Sequence, residues 1–208
     1  MLERIPPREW RDLGIAWFAI TLAFTVVFFR NGTAARFFQA FGVTSPMAGV
    51  FLILGISAMT VGVGFILHEL AHKFAALHYG YWAEFRKDNL MLLVAVVMAA
   101  LTGFVFAAPG ATMISAPALS RRENGWISAW GPAANLLLAL PFVGMALLGG
   151  SPLLTIGVMG WQINGMLAAF NMLPVGPLDG KKVLAWNPAV FGILLAAAGV
   201  LLLAPYFI

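Results

Sequence analysis

Six stretches of the chain stay apolar long enough to approach the width of a bilayer core: residues 14–29, 47–67, 90–108, 126–148, 153–173 and 183–208. A spanning helix needs about 20 such residues, with a lower limit near 17. The first stretch is therefore marginal, and Trp10, Trp17 and the flanking arginines are placed to anchor it at the interface. Only short polar connections separate the stretches, none long enough for a soluble domain, and no internal repeat is visible. The pattern predicts an all-α polytopic membrane protein, with residues 1–208 forming a single integral membrane domain. The N-terminal segment lacks the small-residue cleavage site of a signal peptide, so the first apolar stretch reads as a retained span.

The charged positions decide how the third stretch is used. If residues 90–108 cross the membrane, Lys and Arg divide almost evenly between the two sides. If they enter and leave on one side, that side collects Arg4, Arg8, Arg11, Arg86, Lys87, Arg121, Arg122, Lys181 and Lys182, and the other keeps Arg30 and Arg36. The positive-inside rule favours the second arrangement. The expected fold thus has five transmembrane helices, or six if residues 90–108 span, with the N-terminus in the cytoplasm of a cell bounded by its plasma membrane. A re-entrant element covers about residues 90–115, and its second half, residues 103–114, carries aromatic and β-branched residues around Pro109-Gly110, the composition of a hairpin. Backbone of that kind at membrane depth must be buried in protein or line a wet cavity.

Composition agrees with lipid as the solvent. The chain is 62% hydrophobic and 10% charged, against roughly 25% charged residues in soluble domains. The formal charge of +4 is confined to connections without aromatic interleaving, so a nucleic-acid partner is not expected. The chain contains no cysteine; a metal would have to be held by His, Asp or Glu.

One metal site is indicated. His68-Glu69-Leu70-Ala71-His72 lies at the end of the second apolar stretch, and histidines at i and i+4 of a helix project from one face and can share a zinc ion. Glu69 can reach a water on such an ion without being a ligand, the general-base arrangement of metallopeptidases. A third protein ligand is required. His78 has the spacing of the HExxHxxGxxH motif, but Ala75 replaces the glycine that turns the chain. The helix should continue, carrying His78 about 9 Å along the axis beyond His72, where it suits the membrane interface beside Tyr79. Glu84, Asp88, Glu123 and Asp179 are the acidic candidates. Asp179 lies where two prolines and two glycines interrupt an apolar run. It reads equally as a functional residue at membrane depth or as a cap on the last helix.

HELAH on an early helix, Gly131-Pro132-Ala133-Ala134-Asn135 on a later one, and Asn171-x-x-Pro174-x-x-x-Leu178-Asp179-Gly180 together resemble the site-2 protease family of intramembrane zinc metalloproteases. The resemblance covers roughly residues 64–184, within a catalytic core of about residues 47–184. It implies one zinc ion on His68, His72 and Asp179, with Glu69 activating water and Asn135 close enough to assist substrate binding or an oxyanion. It also implies cleavage within transmembrane segments of other proteins. Lys181 stands where many members have a second glycine, residues 88–101 lengthen the usual spacing, and the chain carries no PDZ or CBS domain.

Two other readings compete. One is a different membrane zinc peptidase using His78; the other is an ion or metal transporter in which the same polar cluster lines a pathway. Intact Glu69 favours an enzyme, since a binding site needs no base beside its ligands. Glu84, Asp88 and Glu123 read as solvated loop charges, Asn164 and Gln162 as interhelical hydrogen-bonding residues, and Lys73 either reaches the headgroups or tunes the site.

Overall fold

The structure is a computed structural model and describes residues 5–105, 109–116 and 118–204. Among the described residues, four helices are long and apolar enough to cross a membrane: Pro7–Arg30 (α1), the 33-residue rod Pro46–His78, Arg121–Leu148 (α6) and Leu153–Asn171 (α7). The rod comprises α3 (Pro46–Ser57), a π-helical turn (Ala58–Gly62) and α4 (Val63–His78). Thr33–Phe41 (α2), Asn89–Thr102 (α5), Asp179–Trp186 (α8) and Pro188–Leu203 (α9) are shorter. Two strands, Trp82–Lys87 (β1) and Gly110–Ser115 (β2), complete the described residues.

The first span is not marginal. Pro at its first position starts α1 at Pro7, where a missing N–H costs nothing, and Glu9 and Asp12 enter the helix as buried residues. In the opposite direction, the expected stretch 183–208 divides at Trp186-Asn187-Pro188. Asn187 accepts from the N–H groups of Ala189 and Val190 and restarts the chain as α9, because a residue before proline resists the helical region.

The fold is helical rather than all-α, and the hairpin over residues 103–114 is corrected. Residues 106–108 lie outside the described residues; β2 pairs antiparallel with β1, from Trp82↔Ser115 to Lys87↔Gly110. Asp88 N–H donates to Pro109 O at 3.0 Å, so the chain leaves and rejoins the sheet at adjacent points. Between them runs α5, about 21 Å long by its 14 residues, short of a hydrocarbon core of about 30 Å. Its C-terminal carbonyls, which a helix cannot satisfy itself, are met by the end of α1: Arg30 Nη1 donates to Ala100 O at 3.0 Å, and Asn31 Nδ2 to Gly103 O at 3.0 Å.

Three charges expected in solvated loops have other jobs. Glu84 is buried and paired with Arg86 at 2.6 Å. Asp88 caps α5, accepting from Leu90 and Met91, and Glu123 forms a capping box with Ser120 at the start of α6. Lys73 reaches neither headgroups nor the face carrying His68 and His72: fully buried, it pairs with the fully buried Glu9 of α1. Glu9 also accepts from Phe85 N–H at 3.0 Å, tying α1, α4 and β1 together.

The main apolar core lies where α1, the rod and α7 meet, around Leu13, Ile20, Phe24, Ile53, Val61, Phe65 and Ile163. Phe18, Leu93, Leu137, Leu140, Ile193 and Val200 face outward, as expected where the surroundings are lipid. The π-helical turn ends just before α4, the helix that carries the histidine segment, and Trp17 Nε1 donates to Ala58 O there at 3.3 Å; such turns recur near functional sites.

Candidate metal centre

Three elements converge on the site. The middle of α4 presents His68, Glu69 and His72; α6 packs against them through Gly131 and Asn135; and the start of α8 delivers Asp179. Gly131 is required by contact: a Cβ there would collide with Nε2 of both His68 and His72. Gly180 plays the same part for α8, since a Cβ would meet the Met172 carbonyl. The glycines of two separate motifs thus let two backbones close on the histidines.

The histidine orientations follow from their far-side hydrogen bonds. Asn135 Nδ2 donates to Gly64 O at 3.0 Å and to Asn164 Oδ1 at 3.1 Å, which turns Asn135 Oδ1 towards His68. His68 Nδ1 donates to that oxygen at 2.6 Å, and His72 Nδ1 donates to Ile127 O at 2.9 Å. With both protons on Nδ1, each neutral ring presents its Nε2 lone pair inward. The two Nε2 atoms are 3.0 Å apart, and Asp179 Oδ2 lies 3.2 Å from His68 Nε2 and 3.1 Å from His72 Nε2. Three acceptors therefore face one another in a buried site, an arrangement that a cation relieves.

The triangle fits zinc. Tetrahedral zinc with ligands at about 2.0–2.1 Å places neighbouring ligand atoms about 3.3 Å apart, close to the observed edges. His68, His72 and Asp179 are the one such His/Asp/Glu group found among the described residues. His78 is outside it: α4 continues through Ala75 as expected, and the exposed His78 ring packs edge-on against Tyr79 with centroids 5.7 Å apart. Asp179 is not the cap of α8. The N-cap is Leu178, and the Asp179 carboxylate turns to the histidines, with Lys182 Nζ 3.7 Å from its other oxygen.

Glu69 stands beside the triangle and is not part of it. Its Oε2 accepts from Thr112 N–H at 3.0 Å and lies 2.9 Å from Thr112 Oγ1. A cavity of about 250 Å³ opens over these groups, lined by His68, Glu69, His72 and Asp179 and by apolar side chains that include Phe24, Phe65 and Ile114. Thr112 was not singled out in the sequence, since its place depends on which strand β2 joins. Asn135 adjoins the site, with its whole amide committed to His68, Gly64 and Asn164. Asn164 in turn donates to Gly160 O at 2.8 Å.

A helical membrane protein with a His-His-Asp triangle and a carboxylate beside it has the organisation of a membrane zinc peptidase. Comparison with known proteins agrees. The chain is 44% identical over 145 residues to "Putative zinc metalloprotease MJ0611" of Methanocaldococcus jannaschii, covering 69% of this chain and 76% of that protein. It is 30% identical over 146 residues to "Putative zinc metalloprotease YwhC" of Bacillus subtilis, covering 61% and 66%. It is also 30% identical over 142 residues to "Putative zinc metalloprotease Rip3" of Mycobacterium tuberculosis, covering 65% of this chain and 32% of that longer protein. The chain belongs to the site-2 protease family. No family model and no solved structure matches it.

Proposed function

We propose that this protein is an intramembrane zinc endopeptidase, cutting transmembrane segments of other membrane proteins with one zinc ion on His68, His72 and Asp179. The convergence of three lone-pair donors beside a carboxylate, inside a helical bundle, carries the reading. Bound there, zinc would supply Lewis acidity, acidifying a water and polarising the scissile carbonyl. Glu69 would take the proton from the attacking water and return it to the leaving amine as the C–N bond breaks. Asn135 acts through His68: its committed amide suits it to fixing the ring rather than to contacting substrate or an oxyanion.

A helical substrate hides its carbonyls in internal hydrogen bonds and must be extended locally to be cut. The edge of β2 not paired with β1 lines the cavity, and strand addition there would hold the extended segment. The site lies towards the end of the bundle that carries Arg11, Arg86, Arg121, Arg122, Lys181 and Lys182, which supports a cytoplasmic N-terminus and an active site near that face. On the same reading the excursion that leaves the sheet at Asp88 and rejoins it at Pro109 is re-entrant. A transporter would not need Glu69 held apart from the ligands.

The test is zinc content and cleavage of a panel of transmembrane segments by wild type and Glu69→Gln in bilayer mimics. Zinc retained with cleavage lost is expected; equal cleavage by both overturns the mechanism.

A further inference from the structure

Phe85 and Thr112 are directly opposed in the β1–β2 ladder, yet neither N–H enters it. Phe85 N–H goes to Glu9 and Thr112 N–H to Glu69. Opposed residues alternate between bonded and non-bonded pairs in an antiparallel ladder, so this is a non-bonded pair. Gly110, Thr112 and Ile114 therefore turn their backbone polar groups to the free edge, and all three line the cavity. Glu69 Oε2 already occupies the central donor of that edge. It also lies 2.9 Å from Thr112 Oγ1, a hydroxyl that alternatively reaches Glu69 O at 3.1 Å.

We propose that Thr112 is the positioning residue for Glu69 and couples it to occupancy of the β2 edge: an extended polypeptide pairing there takes the Thr112 N–H, leaving the Glu69 carboxylate on the hydroxyl alone. The edge that receives a chain and the clamp on the base then share one donor, and Oγ1 is what keeps the carboxylate oriented once that donor is taken. The assignment rests on the protease reading above but concerns contacts within this chain.

Thr112→Val removes the hydroxyl at nearly constant shape and leaves the backbone donor. With wild-type zinc content, its kcat should fall about tenfold, the scale of a mispositioned catalytic group, while KM stays within twofold. Thr112→Ser, which restores the hydroxyl, should recover kcat to within twofold of wild type. Unchanged kcat in Thr112→Val, equal loss in both variants, a change confined to KM, or loss of zinc from Thr112→Val would each overturn the proposal. Hydrogen–deuterium exchange over residues 110–115 provides a readout free of turnover. Glu69→Ala should speed exchange at the Thr112 amide, and an unchanged rate also overturns the proposal. Should wild type cleave no transmembrane segment, the protease reading fails, while the exchange result still decides whether Glu69 holds Thr112.

Discussion

Gly131→Ala should weaken zinc binding with little loss of helix. A Cβ at this position lies 2.6 Å from His68 Nε2 and nearer still to the His72 ring. Ordinary van der Waals contact begins at 3.4 Å, so the His68 ring must retreat by about 0.8 Å and the His72 ring by more, or α4 and α6 must separate by a similar amount. Zinc sites tolerate departures of about 0.2 Å in ligand distance, which makes either response incompatible with the triangle. Overpacking of this kind costs about 1–3 kcal/mol, equivalent to roughly 5- to 150-fold in affinity at about 1.4 kcal/mol per decade. The histidines, being rotatable, should absorb the strain before the helices do. Zinc affinity, measured by competition with a chelator in detergent or nanodiscs, should therefore fall by roughly 5- to 150-fold while the metal-free protein melts within a few degrees of wild type. Gly144→Ala is the control on the same helix: nothing lies within 4 Å of its Cβ, and it should retain zinc and gain about 0.5–1 kcal/mol of stability. Wild-type zinc affinity in Gly131→Ala would refute the packing argument.

Asp179→Asn should lower zinc affinity by two orders of magnitude or more, since an amide replaces the anionic ligand, while His78→Ala should leave zinc stoichiometry unchanged; the opposite pattern would reinstate His78. Asn135→Ala frees the His68 ring and should weaken zinc binding about 10- to 100-fold, measured by the same competition; an affinity within twofold of wild type would remove its positioning role. Lys73→Met leaves Glu9 buried without its partner and should cost about 3–5 kcal/mol in denaturant unfolding, whereas adding Glu9→Leu should recover most of that loss. If the double variant is no more stable than the single one, the pair is not energetically linked.

How far the sequence discloses this fold depends on whether a residue's task is local. The 3.6-residue helical repeat alone puts His68 and His72 on one face, and Ala75 alone keeps α4 running on to His78; both expectations hold in the structure. Asp179 is not a local matter. Its segment reads equally as a cap, and only the close approach of α8 to the C-cap of α7 at Gly180, with both helices packed on α6, turns its carboxylate onto the histidines. Thr112 was illegible because β2 joins β1 across the whole of α5, a pairing no turn signal announces. The same non-local pairing displaced the hairpin expected over residues 103–114. Glu9 and Lys73 escaped because each sits among residues that read as interfacial. Their mutual burial depends on α1 starting at Pro7 instead of where the apolar run begins.

These misses share a physical cause that bears on the site itself. Inside a bundle of this kind the apolar pattern says where helices lie in depth but little about which neighbours they choose, because lipid-facing and core-facing side chains are alike in character. Neighbours are selected by small residues and by polar groups that must find partners. Here those polar groups form two assemblies on α4: His68 and His72 with Asn135 and Asp179 on one side, and Lys73 with Glu9 and Phe85 N–H on another. Lys73 follows His72 directly, so the assembly that ties α1 and β1 to α4 also fixes the backbone carrying the metal-binding face. Through β1 it fixes β2, and through β2 it fixes Thr112 and Glu69. The buried ion pair is thus structurally continuous with the Glu69 carboxylate, by way of the sheet. Disturbing Glu9 should consequently alter exchange at the Thr112 amide before it alters zinc content.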